Sequence, residues 1–329
     1  MMGLYSFLVR ISQQFRITRW RAEMGLDLSD VLVIGISSRA LFDLEDSNDL
    51  FEEEGLEAYR AHQLKNEKKQ LKKGTAFALV KALLHLNEMS GKKLVEVIVM
   101  SRNSPDTGLR VFNSIAHYGL DISRAAFSGG TPLSPYLTAF NVDLFLSKSD
   151  DDVQAAVDSG VAAAALYAPP VEQDVGTEQI RIAFDADAVI FSEESEHLYK
   201  TKGLKAFLEH EKVNVNTPMK EGPFAKLLMT LSFLQEHFPK GESPVRIAIV
   251  TARNSPAHER VVQTLRTWGV TVDEAFFLGG LSKDQILQAY QAHIFFDDQE
   301  THLTETSKVV PSGKVPYKTG SPLKELNGE

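Results

Sequence analysis

Apolar residues along this chain follow two patterns. Short, mainly apolar runs stand at residues 31–36, 95–100 and just before Ser147, and again at 182–184, 246–251 and just before Asp297. Between them lie longer stretches in which apolar positions recur every three or four residues. The runs read as strands buried on both faces, the periodic stretches as amphipathic helices. Strands alternating with helices predict parallel βαβ units with right-handed crossovers, and so an α/β architecture around a parallel sheet.

The pattern is written twice. EEGLEAYRAHQ from Glu53 matches TKGLKAFLEHE from Thr201, and KKGTAFALVKALLHLNE from Lys72 matches KEGPFAKLLMTLSFLQE from Lys220. VIVMSRNSP ending at Pro105 matches AIVTARNSP ending at Pro256, and HYGLDISRAAFSGG ending at Gly130 matches TWGVTVDEAFFLGG ending at Gly280. With the first apolar runs these make five ordered matches, all displaced by about 150 residues, which predicts an internal duplication. The expected organisation is an N-terminal extension (1–30), a first half (31–170), a polar linker, a second half (180–305) and a C-terminal tail (306–329). In this alignment Ile36 falls opposite Asp185 and Ser38 opposite Asp187. Ser147 and Lys148 fall opposite Asp297 and Asp298, and Leu133 near Lys283.

Open α/β sheets bind ligands at the carboxyl ends of their strands. In the second half those places hold Asp185 and Asp187, then Thr251, then Lys283 beyond Gly280, then Asp297 and Asp298. Any one of these is an ordinary helix cap or turn residue. Together they bring four carboxylates, a hydroxyl and an ammonium to one end of one sheet. Carboxylates do not crowd in ionised form without a counter-charge, and hard oxygen donors of this kind call for Mg²⁺. The first half has lost its acids at these places and reads as a catalytically dead copy. Its polar strand ends, Ser37, Ser38, Arg39, Arg102 and Asn103, and Arg253 of the second half, are the candidates for contacting an anionic substrate, with surface or interface salt bridging the equal alternative for Arg39 and Arg102.

Composition narrows the partners. A chain of 329 residues, 43% hydrophobic and 24% charged, has globular values and length for one large or two ordinary domains. A net charge of -9 argues against nucleic acid as the main partner, yet leaves room for a small anion whose charge a bound cation offsets. With no cysteine, disulfides, thiolate catalysis and Cys-ligated zinc are excluded, and a reducing cytoplasmic compartment fits. Residues 4–21 are Arg-rich, acid-poor and amphipathic. They read as an extension packed on the body or as sequence upstream of a true start at Met24, rather than as a presequence or a membrane-surface helix. No apolar stretch is long enough for a transmembrane segment. Oligomeric state is left open, a homo-oligomer included.

The four elements AFDADAV, AIVTARN, LSKDQ and IFFDDQ resemble, in order, the hhhhDxD, hhhT, lysine and hhhhDD motifs of the haloacid-dehalogenase-like phosphotransferases. The surrounding segments, RIAFDADAVIFSEESE at Arg181, GLKAFLEHE at Gly203, EGPFAKLL at Glu221, AHIFFDDQ at Ala292 and VPYKTG near the C-terminus, resemble the cytosolic type I 5'-nucleotidases. The resemblance implies a Rossmann-like sheet, here in tandem with a degenerate first copy, and a small cap insert at about 192–244. It implies Mg²⁺-dependent hydrolysis of nucleoside 5'-monophosphates, with a sugar-phosphate phosphatase or a non-catalytic nucleotide-binding regulator as the alternatives. It also implies roles. Asp185 is the nucleophile, Asp187 the general acid and base, Thr251 and Lys283 the phosphoryl contacts. Asp185, Asp187, Asp297 and Asp298 form the metal site. Phe191, Phe207, Phe224 and Phe233 sit at helical spacing that favours the core over a base-stacking face.

Overall fold

The computed structural model describes residues 28, 30–170 and 176–327; the Arg-rich segment 4–21 and part of the linker lie outside them. Residues Leu32–Glu329 form one compact unit. Its strands are β1 (Leu32–Ile36), β2 (Phe42–Asp43), β3 (Lys72–Lys73), β4 (Val95–Ser101), β5 (Arg124–Phe127), β6 (Leu144–Ser147), β7 (Ala162–Leu166), β8 (Ile180–Phe184), β9 (Val245–Thr251), β10 (Glu274–Phe277), β11 (Ile294–Asp297) and β12 (Ser312–Lys314). β2 and β3 pair with each other. The other ten form one sheet in the order β10-β9-β8-β11-β12-β7-β6-β1-β4-β5. The fold is mixed α/β and Rossmann-like, as the alternating pattern predicts.

Every neighbouring pair in the large sheet is parallel except β12 with β7. That one antiparallel junction has a large consequence. The carboxyl ends of β1, β4 and β6 point the opposite way from those of β8, β9 and β11. β1 and β8 are also five strand spacings apart, roughly 24 Å at about 4.8 Å each.

β12 comes from the segment read as a tail, and it sits mid-sheet. Gly313 makes that possible: a Cβ there would stand 2.9 Å from the Cβ of Ala164 and 3.2 Å from Leu166 Cδ2. A small residue facing an alanine-rich strand lets the two sets of strands close up.

Side chains alternate across the sheet and build a core on each face. One face carries Ile34, Ile36, Val97, Val99, Ile182, Phe184, Ile247, Ile249 and Phe296 in a single cluster that runs through both sets of strands. Ala183, Ala248, Val250 and Phe295 face the other side with Leu287 and Leu303. Within 192–244, the Ala225–Gln235 helix buries Leu227, Leu228, Leu231 and Leu234 in the first of these cores, the place that Phe77–Ser90 takes in the first half. The Glu194–Val213 helix is broken at Gly203, whose φ is +77°. Its counterpart is two helices, Glu45–Glu54 and Leu56–Lys65, joined at Gly55 with φ +84°. Among the described residues no helix is long and apolar enough to cross a membrane.

Backbone bonding corrects the alignment of the halves by one residue. The Ser37 N–H donates to Leu146 O at 2.9 Å, as the Asp185 N–H donates to Phe296 O at 2.8 Å. Ser37, not Ile36, therefore occupies the place of Asp185, and Arg39 that of Asp187. The slip has a physical source: fully buried strands such as LVIGI do not alternate, so their pattern carries no register.

Candidate active site

Asp185 is the first residue beyond β8, in extended conformation, and a tight turn at Ala186–Ile190 follows it. Ala188 takes φ +59° in that turn. A left-handed conformation costs a non-glycine residue about 1–2 kcal/mol, and Ala188 is held there in a small buried cluster with Tyr317 and Leu323. The turn sends the side chains of Asp185 and Asp187 to different partners.

Asp185, Asp297 and Asp298 are all buried, with one carboxylate oxygen of each within 4.8 Å of the others. Lys283, also buried, donates from Nζ to Asp185 Oδ1 and to Asp297 Oδ2, both at 2.7 Å. The Gln299 N–H donates to Asp297 Oδ1 at 2.8 Å, and His302 Nδ1 lies 3.0 Å from Asp297 Oδ2. Tyr317 donates its hydroxyl to Asp298 Oδ2, while Asp298 Oδ1 is buried without a hydrogen-bond partner. Burial pushes the Asp185 carboxyl up to about 7, against the pull of Lys283 and with the charge of Asp297 adding to it. Asp298 is pushed well above its ordinary range by burial and by the charges of Asp297 and Asp185. Burial acts the same way on Asp297, but Lys283 and His302 outweigh it and hold that carboxyl below its ordinary value. Lys283 stays charged despite burial because Asp185 and Asp297 flank it. One lysine cannot offset three ionised carboxylates, so burial and mutual repulsion hold Asp185 and Asp298 toward the neutral acid, and a hard cation would supply the positive charge that ionises them.

Thr251 ends β9, buried, and its Oγ1 accepts the Arg253 N–H at 3.2 Å, leaving the hydroxyl proton to donate. The carboxylate of Asp187 stands outside the acid cluster. Arg253 grips it with two bonds, Nε to Oδ2 at 2.7 Å and Nη2 to Oδ1 at 2.6 Å. The third guanidinium nitrogen, Nη1, donates to Glu211 Oε2 at 2.5 Å. Arg253 is thus fully engaged inside the protein, with its guanidinium 5.2 Å from the centre of the Phe207 ring, and it is not a free cation facing a substrate.

The first-half candidates do not join this site. Ser37, Ser38, Arg39, Arg102 and Asn103 follow strands that point the other way, beyond the junction. Arg39 pairs with Glu45 at 3.1 Å and Arg102 with Asp152 at 2.5 Å. Ser38 Oγ lies 3.2 Å from Ser101 Oγ. Of the phenylalanines, Phe191 and Phe224 are core, whereas Phe233 is 45% exposed. Sequence reasoning missed Glu211, His302 and Tyr317. The first resembles any acid on a solvated helix, the second lies five residues past Asp297, and the third sits in a segment without apolar pattern.

Comparisons with known proteins fit this geometry. The 5'-nucleotidase family pattern matches residues 24–322. The chain is 38% identical over 285 residues to "Cytosolic 5'-nucleotidase 1B" of Homo sapiens, covering 83% of this chain and 47% of that protein. It therefore spans about half the length of the curated relative it matches. Among solved structures, histidinol dehydrogenase from Elizabethkingia anophelis is 12% identical, with 73% of this chain and 49% of that one covered and a TM-score of 0.23. A chain of the Pnkp1/Rnl/Hen1 complex is 10% identical, with 89% and 99% covered and a TM-score of 0.32. Likeness at that level carries no argument.

Proposed function

The chain belongs to the 5'-nucleotidase family, and from that premise we propose that it hydrolyses nucleoside 5'-monophosphates to nucleoside and phosphate at the Asp185 cluster. The observation that carries the reading is the gathering of Asp185, Asp297 and Asp298 at the strand ends of the second half, with Lys283 bonded to the first two. In this reading Asp185 Oδ attacks phosphorus, and the bond from phosphorus to the 5' oxygen breaks. Asp187 gives its proton to that oxygen, so nucleoside leaves and an aspartyl-phosphate remains. Asp187 then takes a proton from water, and the resulting hydroxide attacks phosphorus. The acyl phosphate bond breaks, which releases phosphate and restores Asp185. Lys283 and the Thr251 hydroxyl stabilise charge on the phosphoryl oxygens.

The residues suit Mg²⁺. Their donors are hard carboxylate oxygens, three of them converge, and Asp298 Oδ1 is buried with no partner of its own. Asp185, Asp297 and Asp298 would hold the ion, with the backbone carbonyl of Asp187 as a further donor. Bound there, Mg²⁺ supplies the positive charge that keeps these carboxylates ionised and offsets the phosphate.

The same proposal takes residues 31–170 and 180–305 as duplicated haloacid-dehalogenase-like units, the first without its acids. Matching strand orders about the β12·β7 junction support it. The Glu194–Val213 helix is the part of 192–244 that fits a cap, because the Ala225–Gln235 helix is committed to the core. A cytoplasmic location is proposed on the strength of the relative's printed name.

Phosphate release from a panel of nucleoside 5'-monophosphates, with Mg²⁺ and with chelator, tests the reading. Activity should need the metal and fall by several orders of magnitude in Asp185→Asn. Turnover that survives Asp185→Asn would sink the mechanism, and preference for a sugar phosphate would replace the substrate.

A further inference from the structure

We propose that Arg253 and Glu211 are positioning residues for proton transfer by Asp187, an inference that rests on the nucleotidase reading above. The grip is specific in its geometry. Both oxygens of Asp187 are taken by one planar fork, which fixes the carboxylate plane, and Glu211 holds the fork from the Glu194–Val213 helix. All three residues are buried.

The protein contains its own control for a merely structural role. In the second half Arg260 donates Nε to Thr217 O at 3.0 Å and Nη1 to Glu211 Oε1 at 3.0 Å. In the first half Arg110 donates Nε to Lys69 O at 3.1 Å and Nη1 to Gln63 Oε1 at 3.2 Å. Thr264 and Ser114 repeat a further pair of bonds, accepting from Met219 N and Leu71 N. Even the edge-to-face ring pairs agree, Tyr199 with Phe207 at 6.1 Å and Phe51 with Tyr59 at 6.0 Å. This shared frame docks the helix and needs only an amide at the place of Glu211.

Three positions beside this frame differ together. Asn103 stands at the place of Arg253: each donates its N–H to the strand-end hydroxyl, Ser101 or Thr251, at 3.2 Å, and each accepts the N–H of the matching glycine, Gly129 or Gly279. Arg39 stands at the place of Asp187. The acid, the arginine that grips it and the carboxylate that anchors the arginine thus occur together in one half and are absent together from the other. A docking contact would persist in both.

Leaving-group dependence separates positioning from support. A nucleoside 5'-monophosphate needs a proton on its departing oxygen; the analogue with sulfur bridging phosphorus and the 5' carbon leaves as a thiolate and does not. Both carry the same nucleoside, and kcat/KM reports only steps up to release of the leaving group. Glu211→Gln should lower kcat/KM for the oxygen ester by about 10- to 100-fold and for the sulfur ester by less than about 3-fold. Arg253→Lys, which loses the fork, should change the ratio at least as much. The ratio does not depend on the folded fraction, so partial unfolding leaves it unmoved. Equal falls for the two esters, or no fall, would overturn the proposal. Asp185→Asn, assayed alongside, tests the underlying reading separately: if it still cleaves either ester, the nucleotidase mechanism fails whatever the ratio shows.

Discussion

Two adjacent carboxylates of the cluster should respond to neutralisation with different signs. Asp297 is completely buried and accepts hydrogen bonds from Lys283, His302 and the Gln299 N–H. Its carboxyl is held below the ordinary value once Lys283 and His302 outweigh burial, so the fold favours its charge. Removing one partner of a buried ion pair costs about 3–5 kcal/mol. In Asp297→Asn the amide oxygen keeps one acceptor and Lys283 keeps Asp185, which reduces the loss to about 2–4 kcal/mol, or roughly 4–12 °C in Tm. Asp298 is the reverse case. Burial and two neighbouring charges oppose its ionisation, and Oδ1 has no partner. In Asp298→Asn the amide oxygen still accepts from Tyr317, and a buried group whose charge its surroundings oppose becomes neutral. Without metal this variant should match the wild type or exceed it by about 1–2 kcal/mol. Urea or thermal unfolding in chelator reads the difference directly. A second titration, with Mg²⁺, should stabilise the wild type by about 2.7 kcal/mol at a hundredfold excess over Kd, and both variants should lose most of that gain. Equal destabilisation of the two variants in chelator would refute the charge argument. Full Mg²⁺ stabilisation in either would remove that residue from the ligand set.

Ser37→Asp with Ser147→Asp, built on Asp185→Asn, should yield no phosphate release, because Leu133 stands where Lys283 stands and Arg39 where Asp187 stands; recovered activity would end the reading of a dead first half. His293 accepts the Arg181 N–H at Nδ1, at 3.2 Å, and burial holds its ring below the ordinary value for histidine. The unfolded chain then binds the extra proton first, so stability should decline as pH falls below about 6.5. That decline should be smaller in His293→Asn, and denaturant midpoints from pH 7.5 to 5.5 that fall in parallel would refute it. Residues 180–329 expressed alone should aggregate or be nearly inactive, since β12 loses β7 and the shared core face is laid open; a soluble fragment with full activity would show that the two sets of strands are independent.

What could be read in the sequence, and what could not, follows from how much each signal depends on its immediate neighbours. Asp185, Thr251 and Asp297 each stand at or just past the end of an apolar run, and a strand end in an α/β sheet is already a statement about location. Direction is different. Runs such as LVIGI and IRIAF look the same whichever way they point, so nothing local tells that β1 and β8 run oppositely. That orientation is set by β7, an alanine run, and by the three residues Ser312–Lys314, neither of which carries a strong strand pattern. With direction unread, the polar ends of the first half looked able to share the substrate site, and the structure separates them. Glu211, and the inward partners of Arg253, were hidden for a related reason. A charged residue on a helix or loop is ordinarily solvated, and only tertiary contact reveals that these two are buried against each other and, for Arg253, against Asp187. Yet their signal was present in the repeat: Gln63 opposite Glu211, beside a half that lacks its acids, is a coordinated loss. Comparing the two halves position by position, rather than motif by motif, finds it, because under the proposed duplication both copies would retain what the scaffold needs and one what the chemistry needs.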